Sequence, residues 1–248
     1  MISERLLDNT LILSIASHAT RDCPIDLSAI IAKHASEAAV EKLQIIVGAG
    51  ADVVLHDTPD AVITKYEVHI ASHASVEYVL LYTQSMKQQQ IFELCLDGEY
   101  ARIDLRGLYV LQDAATVDIV TVQRHTARNG TSNVLFKGLL QGASRATYRG
   151  TIVVDQQGDG TRASQHNKHI MLSDRARAWS MPSLEVKTNN VRCAHGTATG
   201  TFDEHQLFYL QSRGLDPLMA KKLLIEGFCA DVIYDPQSLA SIISTLFS

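Results

Sequence analysis

No apolar run in the 248-residue chain approaches the roughly 20 residues a membrane-spanning helix needs, so no membrane partner is expected. Cysteine is also scarce. Cys23, Cys95, Cys193 and Cys229 are scattered without a CxxC pair, and a chain of this size buries enough surface to dispense with disulfide staples, which fits a reducing cytoplasm. The formal net charge is −5 and no dense Lys/Arg block occurs, which removes the electrostatic footprint of a nucleic-acid binder. Aromatic residues make up only 6% of the chain, sparse for a groove that stacks sugars. The apolar stretch around Leu11 to Ala16 is short and follows Glu4 and Asp8 rather than basic residues, so it does not read as a secretory signal. Dinucleotide and Walker A glycine loops, HExxH, GxSxG and paired-cysteine zinc patterns are all missing, and with them the local support for enzyme chemistry.

What is present is β texture. Residues 25–42 carry Leu27, Ile30, Ile31, Ala35, Ala38 and Ala39 at helical spacing, and predict a helix in a short N-terminal segment, 1–42. From Leu43 to about residue 200, runs of β-branched and aromatic residues alternate with Gly, Asp, Asn and Ser, from LQIIV at 43–47 through KHIMLS at 168–173 to SLEVK at 183–187; about eleven strands follow one another almost without helix. A sandwich, a barrel and a solenoid all remain open. One echo favours stacked strand-turn units: Leu105-Arg106-Gly107, Phe136-Lys137-Gly138 and Tyr148-Arg149-Gly150 each precede an aliphatic run, although their spacings are unequal. Gly48-Ala49-Gly50-Ala51 lacks the lysine and the following helix of a phosphate loop and reads as a tight turn.

The segment 201–248 reads as a helical subdomain. Thr201-Phe202-Asp203-Glu204 fits a capping box opening a helix through Leu210, with Gly214 closing it. Asp216-Pro217 opens a second helix, with Leu218, Leu224, Phe228 and Val232 on one face, and Asp235-Pro236 a third, with Leu239, Ile242, Ile243 and Leu246.

Among ten histidines, the pairs to weigh as metal ligands are His166 with His169, His69 with His73, and Cys193 with His195. Only the last has the two-residue spacing that puts both side chains on one side of a strand, and a thiol with an imidazole suits iron or zinc, though a full site needs three or four donors. The carboxylates Asp155 and Asp159 lie in an apparent turn, DQQGDG, and read as solvated rather than as the paired acids of a carbohydrate-active β-helix enzyme, the main rival class.

Three stretches are specific: Met181-Pro182-Ser183-Leu184-Glu185-Val186, then Asn190-Val191-Arg192-Cys193-Ala194-His195-Gly196-Thr197-Ala198-Thr199-Gly200, then Leu207-Phe208-Tyr209-Leu210-Gln211-Ser212-Arg213-Gly214. In order and spacing they resemble the signature of the SufB/SufD family, and Gln165 to Ser173 and Leu223 to Phe228 resemble it as well. The resemblance implies a right-handed parallel β-helix followed by helices. It implies a non-catalytic, cytoplasmic scaffold of iron-sulfur cluster assembly, paired through its β-helix with a SufB-like subunit or a second copy. It further implies a SufC-type ABC ATPase held by the C-terminal helices. The Cys-Ala-His-Gly form resembles SufD, where SufB typically has a His-Glu pair, and typical members are longer, with an N-terminal helical region this chain largely lacks. Carried over to this chain, Cys193 and His195 would bind a transient cluster or iron at the subunit interface, with no tightly bound cofactor. Phe208, Tyr209, Arg213, Leu224 and Phe228 would face partners. A purely structural homodimer is the third reading.

Overall fold

The computed structural model describes residues 2–21, 24–35, 39–59, 63–83, 89–233 and 235–247. Cys23 and Ala38 therefore lie outside the described residues. The described residues form fifteen strands and four helices: β1 (Ile2–Leu7), β2 (Thr10–Ile15), β3 (Ile25–Asp26), α1 (Leu27–Ala35), β4 (Lys42–Val47), β5 (Asp52–Asp57), β6 (Lys65–Ile70), β7 (Ser75–Tyr82), β8 (Gln90–Leu96), β9 (Arg102–Leu111), β10 (Thr116–His125), β11 (Thr131–Leu140), β12 (Arg145–Val154), β13 (Arg162–Met171), β14 (Arg177–Val186), β15 (Arg192–Gly200), α2 (Glu204–Ser212), α3 (Pro217–Cys229) and α4 (Pro236–Leu246).

Strands alternate between two sheets, in the orders β1-β2-β4-β6-β8-β10-β12-β14 and β3-β5-β7-β9-β11-β13-β15. Apart from the antiparallel β1–β2 hairpin, every pairing is parallel. The result is a parallel β-solenoid, in which each turn contributes one strand to each sheet and stacks about 4.8 Å above the last. The coil begins upstream of Leu43, because Thr10–Ile15 already pairs in parallel with β4. Within the N-terminal segment the described helix spans Leu27–Ala35 and buries Leu27 and Ile31.

Alternation of side chains lines the lumen with one residue in two, as in Val117, Ile119, Thr121, Gln123 and His125 of β10. The corners stack as well as the strands do. His18, Gly50, His73, Tyr100, Asn129 and Gly160 all have positive φ, and the backbone N–H of each donates to a carbonyl one turn further on, ending at Asn190. The stacked units favoured by the three cation-glycine triplets are present, and the triplets themselves lie inside β9, β11 and β12. Their glycines make room inside the lumen: a Cβ at Gly107 would stand 2.2 Å from the Phe136 ring, and one at Gly138 2.1 Å from the Tyr109 ring. Each turn is thereby keyed into the next.

The N-terminal end of the coil is capped by the β1 hairpin and α1. The C-terminal helices instead fold back along the outer face of the second sheet, where Ile225, Cys229, Val232, Ile242, Ile243 and Leu246 pack on Leu108, Val110 and Leu139. Gln112 and Gln141 donate to the carbonyls of Thr245 and Leu246, pairing groups a helix C-terminus leaves free. Each helix has an aspartate N-cap: Asp203, Asp216 and Asp235. Asp203 thus replaces the expected Thr201 at the first cap, and the helix runs on to Ser212. The expected face of α3 is corrected in part: Val232 is buried and Phe228 half-buried against the coil as expected, but Leu218 in the first turn is exposed, and Ala220, Ile225 and Cys229 are the residues of α3 that are fully buried. No helix among the described residues is long and apolar enough to cross a membrane.

Lys137 latches these helices to the coil. On the outer face of β11 and buried, its ammonium donates to the Phe228 carbonyl at 2.6 Å, pairs with Asp231, and lies 4.8 Å from the centre of the Phe228 ring. The hydrogen bond from Lys137 holds the Asp231 carboxyl below its ordinary value. A carboxyl lowered in the folded state contributes stability above its unfolded pKa and loses it as pH falls through the folded value. The latch therefore holds at neutral pH and releases only in acid. Lys137→Ala should cost about 2 kcal/mol in urea unfolding and admit proteolysis near residue 201 while the coil persists.

Candidate functional site

The last turn, β14 and β15, has no strand beyond it in either sheet among the described residues. Its inward residues follow from register: Ala178, Ser180, Pro182, Leu184 and Val186 lie over Ala146, Tyr148, Gly150, Ile152 and Val154 of β12. Cys193, His195, Thr197 and Thr199 lie over Ala163, Gln165, Asn167 and His169 of β13. In earlier turns such positions are buried; here Leu184, Val186 and His195 are exposed and Cys193 is half-buried. Trp179 and Met181, on the outer side of β14, are each 49% exposed. This rim combines an apolar edge with two unpaired backbone edges, a combination that protein surfaces normally cover.

The mouth of the coil has two halves. Cys193 rests against an apolar floor of Ile152, Val154 and Ala163, and burial pushes its thiol above the ordinary cysteine range, so it is protonated at neutral pH. The other half is polar. Asn167 donates to the Tyr109 hydroxyl at 3.1 Å and accepts from Ser180, and His169 joins Tyr109 through Nε2 and Thr199 through Nδ1 at 3.1 Å. A neutral His169 ring protonated on Nδ1 satisfies both contacts. Deeper still, the Ser132 hydroxyl bonds the Gln123 amide at 2.7 Å and His125 Nε2 at 2.8 Å.

The structure brings Cys193 and His195 to one side of one strand, at the rim. It does not bring the other pairs together. His169 points into the lumen and His166 to the outer side, under Gly196. His69 bonds Asp97 at 2.8 Å, whereas His73 occupies a corner and stacks on Tyr100 one turn away. Asp155 and Asp159 lie on a turn and pair with Lys187 and Arg128. Among the described residues no three His, Cys, Asp or Glu side chains converge as a metal site.

Of the candidate partner residues, Phe208 is 73% and Tyr209 56% exposed on α2, with the Arg213 guanidinium 5.2 Å from the Tyr209 ring. Leu224 is half-buried, and Phe228 is committed to the coil beneath Lys137. Sequence reading placed Leu218 on the apolar face of α3, passed over Met219 and Leu223 as exposed positions there, and passed over Gln165 and Asn167 of the polar floor, weighing His169 only as a metal ligand. Period-two spacing in QHNKH was the available signal for the latter.

Residues 13–228 match the family described as SUF system FeS cluster assembly, SufBD core domain. The chain belongs to the SufBD family. It is 36% identical over 138 residues to an iron-sulfur cluster assembly SufBD family protein of Mycobacterium tuberculosis, covering 52% of this chain and 35% of that one. A SufBD family protein of Mycobacterium leprae is 32% identical over 182 residues, 65% of this chain and 46% of its own length. The iron-sulfur cluster assembly protein SufD of Escherichia coli is 28% identical over 137 residues, 55% and 32% respectively. The chain thus spans half or less of each of these relatives. Within the SufBD core, the match includes both strands of the open rim and most of α3.

Burial holds His125 and His169 down at about 4. A histidine kept neutral by the fold has the sign of any lowered group: its stabilisation is present above the unfolded value, about 6.5, and drains away as pH falls toward the folded value. Urea midpoints should fall steeply between pH 6.5 and about 4, and His125→Gln should flatten that dependence relative to the unmodified chain.

Proposed function

We propose that this chain is a SufD-like, non-catalytic scaffold subunit of the SUF system that closes the open end of its coil against a SufB-like subunit or a second copy. The observation that carries this reading is the uncovered last turn. One end of the solenoid has a hairpin and a helix over it, and the other has Trp179, Met181, Leu184 and Val186 exposed beside two free strand edges. Solenoids keep a polar cap where they end and an apolar face where they continue. Here the continuation is another chain.

In that assembly Cys193 and His195 lie in the seam. Two donors on adjacent inward positions, roughly 7 Å apart along the strand, can share one iron, with the remaining ligands supplied across the seam. Iron or a nascent cluster is cargo here, handed on rather than retained. The thiol is held as S–H by its apolar floor, so iron binding must expel a proton. Apparent affinity should accordingly rise about tenfold per pH unit below the thiol pKa, with release of about one proton per iron measured by anaerobic titration in weak buffer.

The second contact is helical. α2 buries no residue, and α2 and α3 expose Phe208, Tyr209, Leu218, Met219 and Leu223, more apolar surface than a hairpin of helices keeps in water without a partner. A SufC-type ATPase is the partner this reading assigns to it. The readings separate by substitution. Met181→Asp with Leu184→Asp should abolish pairing through the coil in a native pull-down yet retain the ATPase, whereas Phe208→Ala with Leu223→Ala should do the reverse. A chain that remains paired after the rim substitutions overturns the proposal.

A further inference from the structure

Several buried polar atoms lack a partner, Tyr82 Oη and Thr161 Oγ1 among them, but Gln165 stands out among the described residues because both ends of its side chain are unpaired. Gln165 is 1% exposed, and neither its amide oxygen nor its amide nitrogen has a hydrogen-bond partner. An amide buried with both ends unpaired is costly, and a ligand that pairs it would relieve that cost. Its position says where that ligand would sit. Gln165 stands one turn below His195 in register, and its side chain crosses the lumen to Gly150, where an added Cβ would be 2.2 Å from Nε2. Pro182 stands one turn above Gly150. The amide therefore lies under the gap between His195 and Pro182, next to the position at which Cys193 and His195 face the same way. Glycine at 150 provides the space for it, and proline at 182 adds no N–H that could satisfy it. The neighbouring polar groups are already engaged: Asn167 with Tyr109 and Ser180, His169 with Tyr109 and Thr199.

We infer that Gln165 is a binding residue of the rim site, holding by hydrogen bond a water molecule carried by a divalent iron ion bound to Cys193 and His195. The inference rests on the reading of those two residues as iron ligands. Its chemistry is that of an outer-shell contact: an iron with few protein donors keeps water in its coordination sphere, and such water is a strong donor because the cation polarises it. The Gln165 carbonyl oxygen is a neutral acceptor for it, and the amide NH2 is free to donate to a second non-protein ligand such as hydrosulfide. The pairing is absent from the unloaded protein, so the amide's cost is relieved only when the ion arrives.

Two kinds of role therefore separate. A structural glutamine contributes to the unloaded fold, while this one contributes only to the loaded one. The test uses the full chain and the complex isolated with it, titrated anaerobically with Co(II) as a spectroscopic stand-in for Fe(II). Gln165→Leu should leave the urea midpoint of the metal-free protein unchanged or raise it. It should weaken Co(II) binding by about 10–100-fold and alter the visible bands of the bound ion. Gln165→Met, a more flexible replacement, guards against misfolding and should behave alike. Unchanged Co(II) affinity in both variants, or a metal-free protein destabilised by both, overturns the role of Gln165. Binding that survives Cys193→Ser and His195→Ala, or is missing from the unmodified chain, instead overturns the two-ligand site, and the role of Gln165 with it.

Discussion

The stacking of like positions from turn to turn is the constraint on which the molecule depends. In a parallel coil each strand is satisfied only by a strand on either side, and each inward side chain only by those above and below it. The corners obey the same rule, residue on residue, from His18 to Gly160. Such an arrangement has no natural stopping place. It must be stopped by something of a different kind, as β1 and α1 do at the first turn, or be continued by something of the same kind. The rim formed by β14 and β15 has no stopper among the described residues, and its chemistry follows from that: Cys193 and His195 occupy positions that are interior in every other turn.

The lumen changes character along its length. Early turns fill it with Leu43, Ile45, Tyr66, Val68 and Phe92; later ones with Thr121, Gln123, His125, Gln165, Asn167 and His169. Polar groups inside a core stabilise little beyond an apolar filling and are costly wherever one remains unpaired. Their concentration toward the open end makes the interior there a site as much as a core.

This gradient also decides what could be read from the chain beforehand. Strands from β4 to β12 stood out because runs of β-branched, aliphatic and aromatic residues recur in them between turn residues, even where, as in β10, the inward series turns polar. In β13 the inward series is Ala163, Gln165, Asn167 and His169, so only its end, KHIMLS, resembled a strand. In β14 only SLEVK did, because Ser180 and Pro182 interrupt the pattern. At the other end Thr10–Ile15, as long as β4, was weighed only as a secretory signal, because its pairing with β4 is not visible in the segment itself. The pairing of Cys193 with His195 was legible from spacing alone, but their place at a rim was not, since an edge is a property of the stack rather than of any segment. Phe228 shows the same limit: helical periodicity marks it as apolar, and only the buried ammonium of Lys137 decides that it faces the coil. The turn ladder had a faint signature, an alanine after each of His18, Gly50, His73 and Tyr100, which hydrophobic patterning ignores.

Gly107 and Gly138 give the coil a mechanical quality. Because the rings of Phe136 and Tyr109 each fill the notch left by a missing side chain on the neighbouring strand, adjacent layers cannot slide or rotate past one another without withdrawing an aromatic ring from its socket. Lys137 fastens the helices to the strand that carries one ring and one notch. A load applied to those helices is therefore taken up by β9 and β11 together, as by one stiff piece rather than two loose ones.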